Sequence, residues 1–254
     1  MTEDYTPPTY GDRIAGAYDD RYEDLFAEDT ARAVTFLREL VGEGPALELG
    51  IGTGRIAIPL SEAGVEVHGI DASESMLAVL RAKTGGDRLA TTLGDFAGFS
   101  LQTTFELVYV VFSTFFVLLT QEEQLSSFRA VSAHLSEGGA FVMQAFVPDA
   151  SRFETDGQRV SVEWLEVDEL SLEASTHDPF AQRVETGHVV IRDGSVRMYP
   201  VRIRYAYPSE LDLMARLAGL RLRERWSGWG REPYPSQNWT HVSVWEKENA
   251  DQGP

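Results

Sequence analysis

Cysteine is absent from all 254 residues, which excludes structural disulfides, thiolate metal sites and cysteine nucleophiles; no metal is expected. Positive charge is scarce, with 22 Lys and Arg against 40 Asp and Glu and a formal net charge of -18. Phosphate backbones must be met by clustered Lys and Arg, so this balance weighs against nucleic acid as a partner. No run of 18 apolar residues occurs and the chain opens Met-Thr-Glu-Asp-Tyr-Thr-Pro-Pro. Neither a membrane span nor a secretory leader is therefore expected, and the chain reads as cytoplasmic. The Asn238-Trp-Thr240 sequon then carries no meaning. What is present is ordinary for a globular protein, 43% hydrophobic and 24% charged residues. A chain of this length buries about three quarters of its unfolded surface in one core, with room for one insertion.

Residues 45–71 concentrate the chemical information. Pro-Ala-Leu-Glu-Leu-Gly-Ile-Gly-Thr-Gly-Arg is followed by an amphipathic helix and then Val-Glu-Val-His-Gly-Ile-Asp. The order is buried strand, glycine turn, helix, second strand and closing acid. A strand that turns straight into a helix needs backbone angles that a Cβ disfavours, and Gly50, Gly52 and Gly54 supply them. A helix expected from near Arg55 directs free N–H groups toward an anionic group over the turn. Asp71 stands where an acidic side chain accepts hydrogen bonds from ribose hydroxyls. The pattern predicts a pocket for a nucleoside with a charged tail. A dinucleotide site uses the same order of elements, but its G-x-G-x-x-G run needs a third small residue where this chain has Arg55. Glu48 would also set a carboxylate beside two phosphates, whereas beside an ammonium it would be favourable.

Glu48-Leu-Gly-Ile-Gly-Thr-Gly54 resembles the E/D-x-G-x-G-x-G motif of class I S-adenosylmethionine-dependent methyltransferases. Ile70-Asp71-Ala72-Ser73 with Met76-Leu77 is similar to their second motif, in which the acid holds the ribose and the following residues line the adenine. Gly94-Asp95-Phe96 resembles the segment whose aspartate meets the adenine amino group, and Leu135-Ser-Glu-Gly-Gly-Ala-Phe-Val142 their helix, glycine turn and fifth strand. The resemblance covers about residues 10–146 and resumes from Tyr205. It implies S-adenosyl-L-methionine as cofactor, held by Tyr18, Glu48, Gly50, Gly52, Thr53, Gly54, Arg55, Asp71, Ala72, Met76, Gly94, Asp95, Phe96 and Phe112. Two other readings stay open at this point, an NAD(P)-dependent oxidoreductase and a non-catalytic S-adenosylmethionine-binding protein.

Periodicity predicts an N-terminal amphipathic helix through Tyr10, Ile14, Ala17, Tyr18, Tyr22 and Leu25. A second helix is expected at 29–41, capped by Asp29 or Thr30. Strands are expected at 46–50, 65–70, 89–93, 105–111 and 140–146. The helices between them fall at 54–63, where Pro59 fits poorly, at 73–83 with Ser73 as cap, and at 121–135. Alternating β and α elements predict an α/β doubly wound sheet, seven-stranded and Rossmann-like as the resemblance implies. After Pro148 the pattern turns to strands at 159–167, 169–176, 182–191 and 196–205, with Arg192-Asp193-Gly194-Ser195 as a hairpin turn. A helix at 208–218 and a hairpin of 220–226 with 239–246 close the chain, and 250–254 should fray. The domain reading is lid helices at 1–44, a cofactor-binding core at 45–150, an antiparallel β insertion at 151–207 serving as substrate cap or dimer surface, and a closing unit at 208–249. The arginines 202, 204, 216, 221, 223 and 225 are read as solvated or ion-paired.

Ligands of such sheets lie outside the carboxyl ends of the strands. Phe112-Ser-Thr-Phe-Phe116 after strand four and Met143-Gln-Ala-Phe146 ending strand five predict an aromatic-walled acceptor pocket with polar tips. Its expected residues are Tyr22, Ser113, Thr114, Phe115, Phe116, Gln144 and Phe146. Tyr18 or Tyr22 on the first helix is expected over the sulfonium. His68 and His134 read as structural; His177, His188 and His241 lie in the insertion or the final strand, where a minority of such residues would face a site, and no histidine declares itself as a base. The insertion and the Phe-Ser-Thr segment resemble natural-product methyltransferases of two groups, aminosugar N,N-dimethyltransferases and peptide N-terminal methyltransferases of the cypemycin type. The aminosugar group carries a histidine where Val117 or Leu118 stands here. The resemblance implies a small organic or peptide acceptor methylated on nitrogen, or else oxygen, in bacterial secondary metabolism, and raises a homodimer through the insertion.

Overall fold

The computed structural model describes residues 5–22, 26–149, 157–235 and 239–247. Leu25, Asn238 and the expected fraying at 250–254 lie outside these residues. Short helices α1 (Thr9–Ile14) and α2 (Tyr18–Tyr22) precede the long α3 (Ala27–Val41). The core runs β1 (Ala46–Leu49), α4 (Ala57–Glu62), β2 (Val67–Asp71), α5 (Glu74–Ala82), β3 (Ala90–Leu93), β4 (Phe105–Val110), α6 (Gln121–His134) and β5 (Leu135–Phe146). An antiparallel unit follows, with β6 (Gln158–Leu165), β7 (Glu169–Asp178), β8 (Arg183–Arg192) and β9 (Ser195–Arg204). The chain closes with α7 (Pro208–Leu217), β10 (Leu220–Trp226) and β11 (Thr240–Lys247).

Seven strands form one sheet in the order β10-β11-β5-β4-β1-β2-β3, and the four insertion strands form a second in sequence order. The core sheet is parallel from β3 to β5, and β11 pairs antiparallel with both β5 and β10. It is the doubly wound sheet expected from the alternation of elements. Strands covered on both faces read as near-continuous apolar runs, and β1 is buried at all four positions, with Glu48 as its one polar side chain. One core cluster gathers Phe115, Phe128, Phe141 and Trp245 on one face, and another gathers Phe36, Leu37, Leu60 and Tyr109 on the other. Strand order reverses between β1 and β4, so the ligand crevice of this topology lies outside their carboxyl ends.

Several boundaries differ from the sequence reading. The first helix is broken by a 3₁₀ turn at Ala15–Ala17, around Gly16, a weak helix former. Helix α3 starts at Ala27 without a side-chain cap. Asp29 sits in its first turn, where a carboxylate favours the dipole, and Thr30 accepts a hydrogen bond from Arg55 instead. Helix α4 begins at Ala57, later than expected, which places Pro59 in the first turn where its missing N–H is harmless. Strand β5 begins at Leu135, so the expected glycine turn is a continuation of the strand with a register shift opposite 105–107. Gly138 at φ +75 and Gly139, whose Cβ would press on three carbonyl oxygens, make that irregularity. The hairpin between β8 and β9 turns through Asp193 and Gly194 at φ +51 and +73, both left-handed as a tight hairpin requires.

Candidate active site

Gly50, Gly52 and Gly54 carry φ values of +71, +54 and +82, so the turn after β1 is left-handed at every other residue. The amides of Gly50 and Ile51 donate to the Ile70 carbonyl at 2.8 and 3.0 Å, fastening the turn to β2. At the end of β2, Asp71 accepts from the Gly52 N–H through Oδ2 (2.8 Å) and from the Ser73 N–H through Oδ1 (2.9 Å). Each carboxylate oxygen keeps a further lone pair, so this acid clamps the turn and can still accept from a ligand. Burial raises its pKa, the amides oppose the shift, and nearby Asp12 adds to it.

Glu48 lies inside the sheet at 2% exposure. Tyr109 donates to its Oε2 at 3.0 Å, and burial lifts its pKa to about 8 despite the opposing Tyr109 bond and Arg55 charge. This is an uncommon place for a carboxyl group without a cation bonded to it.

The N-terminal helices close on the turn. Asp19 accepts from the Thr53 hydroxyl at 2.7 Å and pairs with Lys83 at 2.7 Å. Thr53, expected against the cofactor, is thus buried with its hydroxyl spent on Asp19. Burial raises Tyr18 to about 12, beside Arg55. Arg55 stands 5.4 Å from the ring centres of both Phe26 and Phe112. Phe26, which the sequence reading did not single out, meets Phe112 at 4.4 Å, and Tyr22 lies 5.7 Å from Phe112.

Ser73 caps α5 by accepting the Met76 N–H at 3.1 Å. Ala72 and Met76 therefore follow Asp71 at the edge of the crevice, with Met76 packed beside Ile14 and Ala15. Gly94 donates to the Asp71 carbonyl at 2.9 Å. Its φ is ordinary and a Cβ there would meet nothing within 4 Å, so the described residues alone give no reason for a glycine at this position. Asp95 is exposed and turns one oxygen to the Ala97 N–H. Phe96 is buried, near the place a Gly50 Cβ would occupy.

On the acceptor side, Phe112 and Ser113 stand at φ +56 and +60. The Gln144 side-chain oxygen accepts the Phe112 N–H at 2.5 Å, so this amide braces the turn and has one oxygen engaged inside the protein. Thr114 abuts Gly50, where a Cβ would lie 2.5 Å from its methyl. Phe115 and Phe116, expected as pocket wall, are fully buried in the core: Phe115 packs on Phe128, and Phe116 meets the ring of Phe146.

Three clefts line up along this edge. One of about 390 Å³ lies between Tyr18, Asp19, Tyr22, Gly54, Arg55 and Lys83. A second of about 260 Å³ is enclosed by Phe26, Arg55, Phe112, Ser113, Gln144, Phe146 and Trp229. The largest, about 720 Å³, lies between the ends of β5 and β11 and the inner face of the insertion, against Phe146, Arg159, Glu173, Ser175, His177, Thr186, Tyr205 and Thr240. Arg55 is shared by the first two, and Phe146 and Thr240 by the last two. Except for Phe146, the acceptor-side residues read from sequence do not line the largest cavity. Its inner wall comes from strands whose facing direction only the second sheet sets.

The histidines divide accordingly. His134 bonds the Ala130 carbonyl and the Leu101 N–H, and His68 bonds Glu66. His241 is wholly buried beside Ser243, with burial first and Arg225 second driving its pKa to about 3. His188 bonds Glu163, which also receives Arg21 at 2.6 Å. His177 faces the largest cavity with Nε2 2.9 Å from the Tyr205 hydroxyl, and burial lowers its pKa. The late arginines are mainly ion-paired, for example Arg204 with Glu210 and Arg225 with Asp212.

A protein-family model described as a methyltransferase domain matches residues 46–139. The cypemycin N-terminal methyltransferase of a Streptomyces species is 29% identical over 203 residues, 80% of this chain and 82% of that one. The solved CcbJ methyltransferase from Streptomyces caelestis is 41% identical, with a TM-score of 0.90 over 96% of this chain and all of that one. An S-adenosylmethionine-bound amino pentose methyltransferase from Micromonospora echinaspora shares the fold at 21% identity and a TM-score of 0.68. The sheet order, the left-handed glycine turn clamped by Asp71, and a full-length relative of this similarity lead to one conclusion: the chain belongs to the S-adenosylmethionine-dependent methyltransferases.

Proposed function

We propose that this methyltransferase transfers its methyl group to nitrogen on a small organic or peptide acceptor in bacterial natural-product biosynthesis, and that the acceptor enters the cavity of about 720 Å³. The observation that carries the reading is the continuity of that cavity, through Phe146 and Thr240, with the clefts beside Arg55 and the glycine turn. Its volume suits a small organic ligand. Nitrogen is supported by the name of one relative, the cypemycin N-terminal methyltransferase. The charge of -18 speaks for such an acceptor over nucleic acid.

In this reading Asp71 holds the ribose, Gly94 leaves room for the adenine beside Phe96 and Asp95, and Gly50, Gly52 and Gly54 leave room for the amino-acid tail. Glu48 supplies negative charge behind it, and Ala72 and Met76 line one side. The bound cofactor supplies an electrophilic methyl group on a sulfonium. Tyr18 and Tyr22, on helices acting as a lid, present ring and hydroxyl density to that charge. Asp19, by holding Thr53 and Lys83, keeps the lid shut and water out. An amine must arrive without its proton; in the acceptor cavity His177, whose pKa burial lowers and whose Nε2 lies 2.9 Å from the Tyr205 hydroxyl, is the group suited to take it.

The insertion also supports a homodimer. Side chains alternate across a sheet, so the residues opposite those facing the cavity point outward. They form three cross-strand rows: Val160-Ala174-Gly187-Pro200, Val162-Leu172-Val189-Met198 and Leu165-Leu170-Ile191-Val196. Val160, Val162, Leu165, Val196 and Met198 are 58–73% exposed. Three rows on four strands make an apolar area on the order of 400 Å², within the range of the largest patch an ordinary monomer carries, which is often functional; its continuity across all four strands is what supports the dimer reading.

Methyl-labelled cofactor tests the acceptor chemistry against paired compounds that differ only in carrying an amine or a hydroxyl. Label on the amines alone is expected; label confined to the hydroxyl compounds removes nitrogen from the reading.

A further inference from the structure

Two consecutive residues with a Cβ, Phe112 and Ser113, stand at φ +56 and +60 directly after β4. Such residues rarely adopt this region, and they persist there only when their surroundings hold them. The holding groups belong mostly to Gln144. Its side-chain oxygen accepts the Phe112 N–H at 2.5 Å, and its backbone carbonyl accepts the Ser113 N–H at 3.1 Å. In return the Ser113 hydroxyl accepts the Phe146 N–H at 3.1 Å. The strained turn carries one large group outward. The Phe112 ring meets Phe26 at 4.4 Å and Tyr22 at 5.7 Å, with the Arg55 guanidinium 5.4 Å from its centre. Tyr22 in turn meets Tyr18 at 4.9 Å.

We propose that Gln144 is a positioning residue that acts through Phe112: its amide oxygen holds the Phe112-Ser113 turn in its left-handed form, and the Phe112 ring so placed is the platform on which the N-terminal helices close over the cofactor. The inference rests on the methyl-transfer reading. It assigns Gln144 to cofactor retention, where the sequence reading had put it against the acceptor. Without the accepting oxygen the turn relaxes, the ring leaves the contacts with Tyr22 and Phe26, and the helices lose their seat. The residue type follows from the chemistry. Glutamate offers an oxygen at the same reach, asparagine is one methylene too short, and leucine has none.

Calorimetric titration of the full chain with S-adenosylhomocysteine tests this, with hydrogen exchange across residues 9–22 as a second readout. Gln144→Asn and Gln144→Leu should each weaken binding by about tenfold, the order expected for one lost hydrogen bond to an amide. Their exchange across 9–22 should quicken in the ligand-bound state. Gln144→Glu should bind within about threefold of the wild type. Phe112→Ala combined with Gln144→Asn should bind no more weakly than Phe112→Ala alone, because both act through one ring. A Gln144→Asn protein that melts earlier yet binds and exchanges like the wild type overturns the proposal, as do losses that multiply in the double variant. Wild-type protein that fails to bind the probe counts against the methyl-transfer reading itself.

Discussion

Glu48 shows how far one residue's chemistry reaches. A buried carboxyl with a pKa of about 8 is mostly protonated at neutral pH. Because its folded pKa lies above the unfolded value of 4.5, the folded state holds the proton more tightly, so stability falls as pH rises from 4.5 to 8 and levels above. Glu48→Gln removes this penalty. Its melting temperature should exceed the wild type's at pH 8.5 and converge with it near pH 4.5, the gap opening by at most about 1.4 kcal/mol per pH unit; equal melting curves at both pH values would show that the site is well solvated. The same variant should bind cofactor more weakly. A cationic tail favours the ionised carboxyl, so wild-type binding should release a proton and tighten as pH rises toward 8, which calorimetry in buffers of different ionisation enthalpy detects. At Asp71, each oxygen already serves a backbone amide. Asp71→Ala should cost about 1.5–3 kcal/mol of cofactor binding, some ten- to hundredfold; unchanged affinity takes Asp71 out of the ribose role.

At the scale of elements, α2 is five residues long with two ends engaged. Asp19 reaches the glycine turn and Lys83, and Arg21 reaches Glu163 and stands 4.1 Å from the Trp164 ring on the insertion. So short a helix has little stability of its own; its contacts hold it. Asp19→Ala should loosen the lid, weakening cofactor several-fold while leaving the melting temperature of the cofactor-free protein within a few degrees. Titration by intrinsic fluorescence checks it, and undiminished affinity would mean that the helix docks without Asp19. Most elements were legible from sequence because their signals are local. Apolar runs such as 107–110 mark strands covered on both faces, and Ser73 caps its helix as its type predicts. The boundaries that moved depend on partners far along the chain. Thr30 is drawn to Arg55 rather than to its own helix end, and β5 starts early because β4 pairs with Leu135. The capping box of Thr120 and Glu123 was open to sequence reading, as its S/T-x-x-E spacing is a local signature.

At the scale of the whole molecule the two faces of the insertion differ in chemistry. Its inner face closes the largest cavity and its outer face is apolar, so the small sheet is read as acceptor wall and dimer surface together. Val162→Lys on the outer row should shift a dimer to monomer, seen by sedimentation, with unchanged cofactor affinity; a wild-type chain that sediments as monomer at micromolar concentration ends the dimer proposal. Glycine spacing, an acid before the turn and an acid after the second strand were sufficient to infer the cofactor, because each acts within a few residues of itself and needs only its own strand and turn. The wall of the largest of the three clefts was not accessible that way, although Ser113, Gln144 and Phe146 do line the second. Phe115 and Phe116 share the composition of a pocket wall but are fully buried, while Arg159, Glu173, His177, Tyr205 and Trp229 meet the clefts from strands and loops far apart in the chain. Which side of a strand faces a cavity depends on the register and docking of a second sheet, a long-range property that no local spacing encodes.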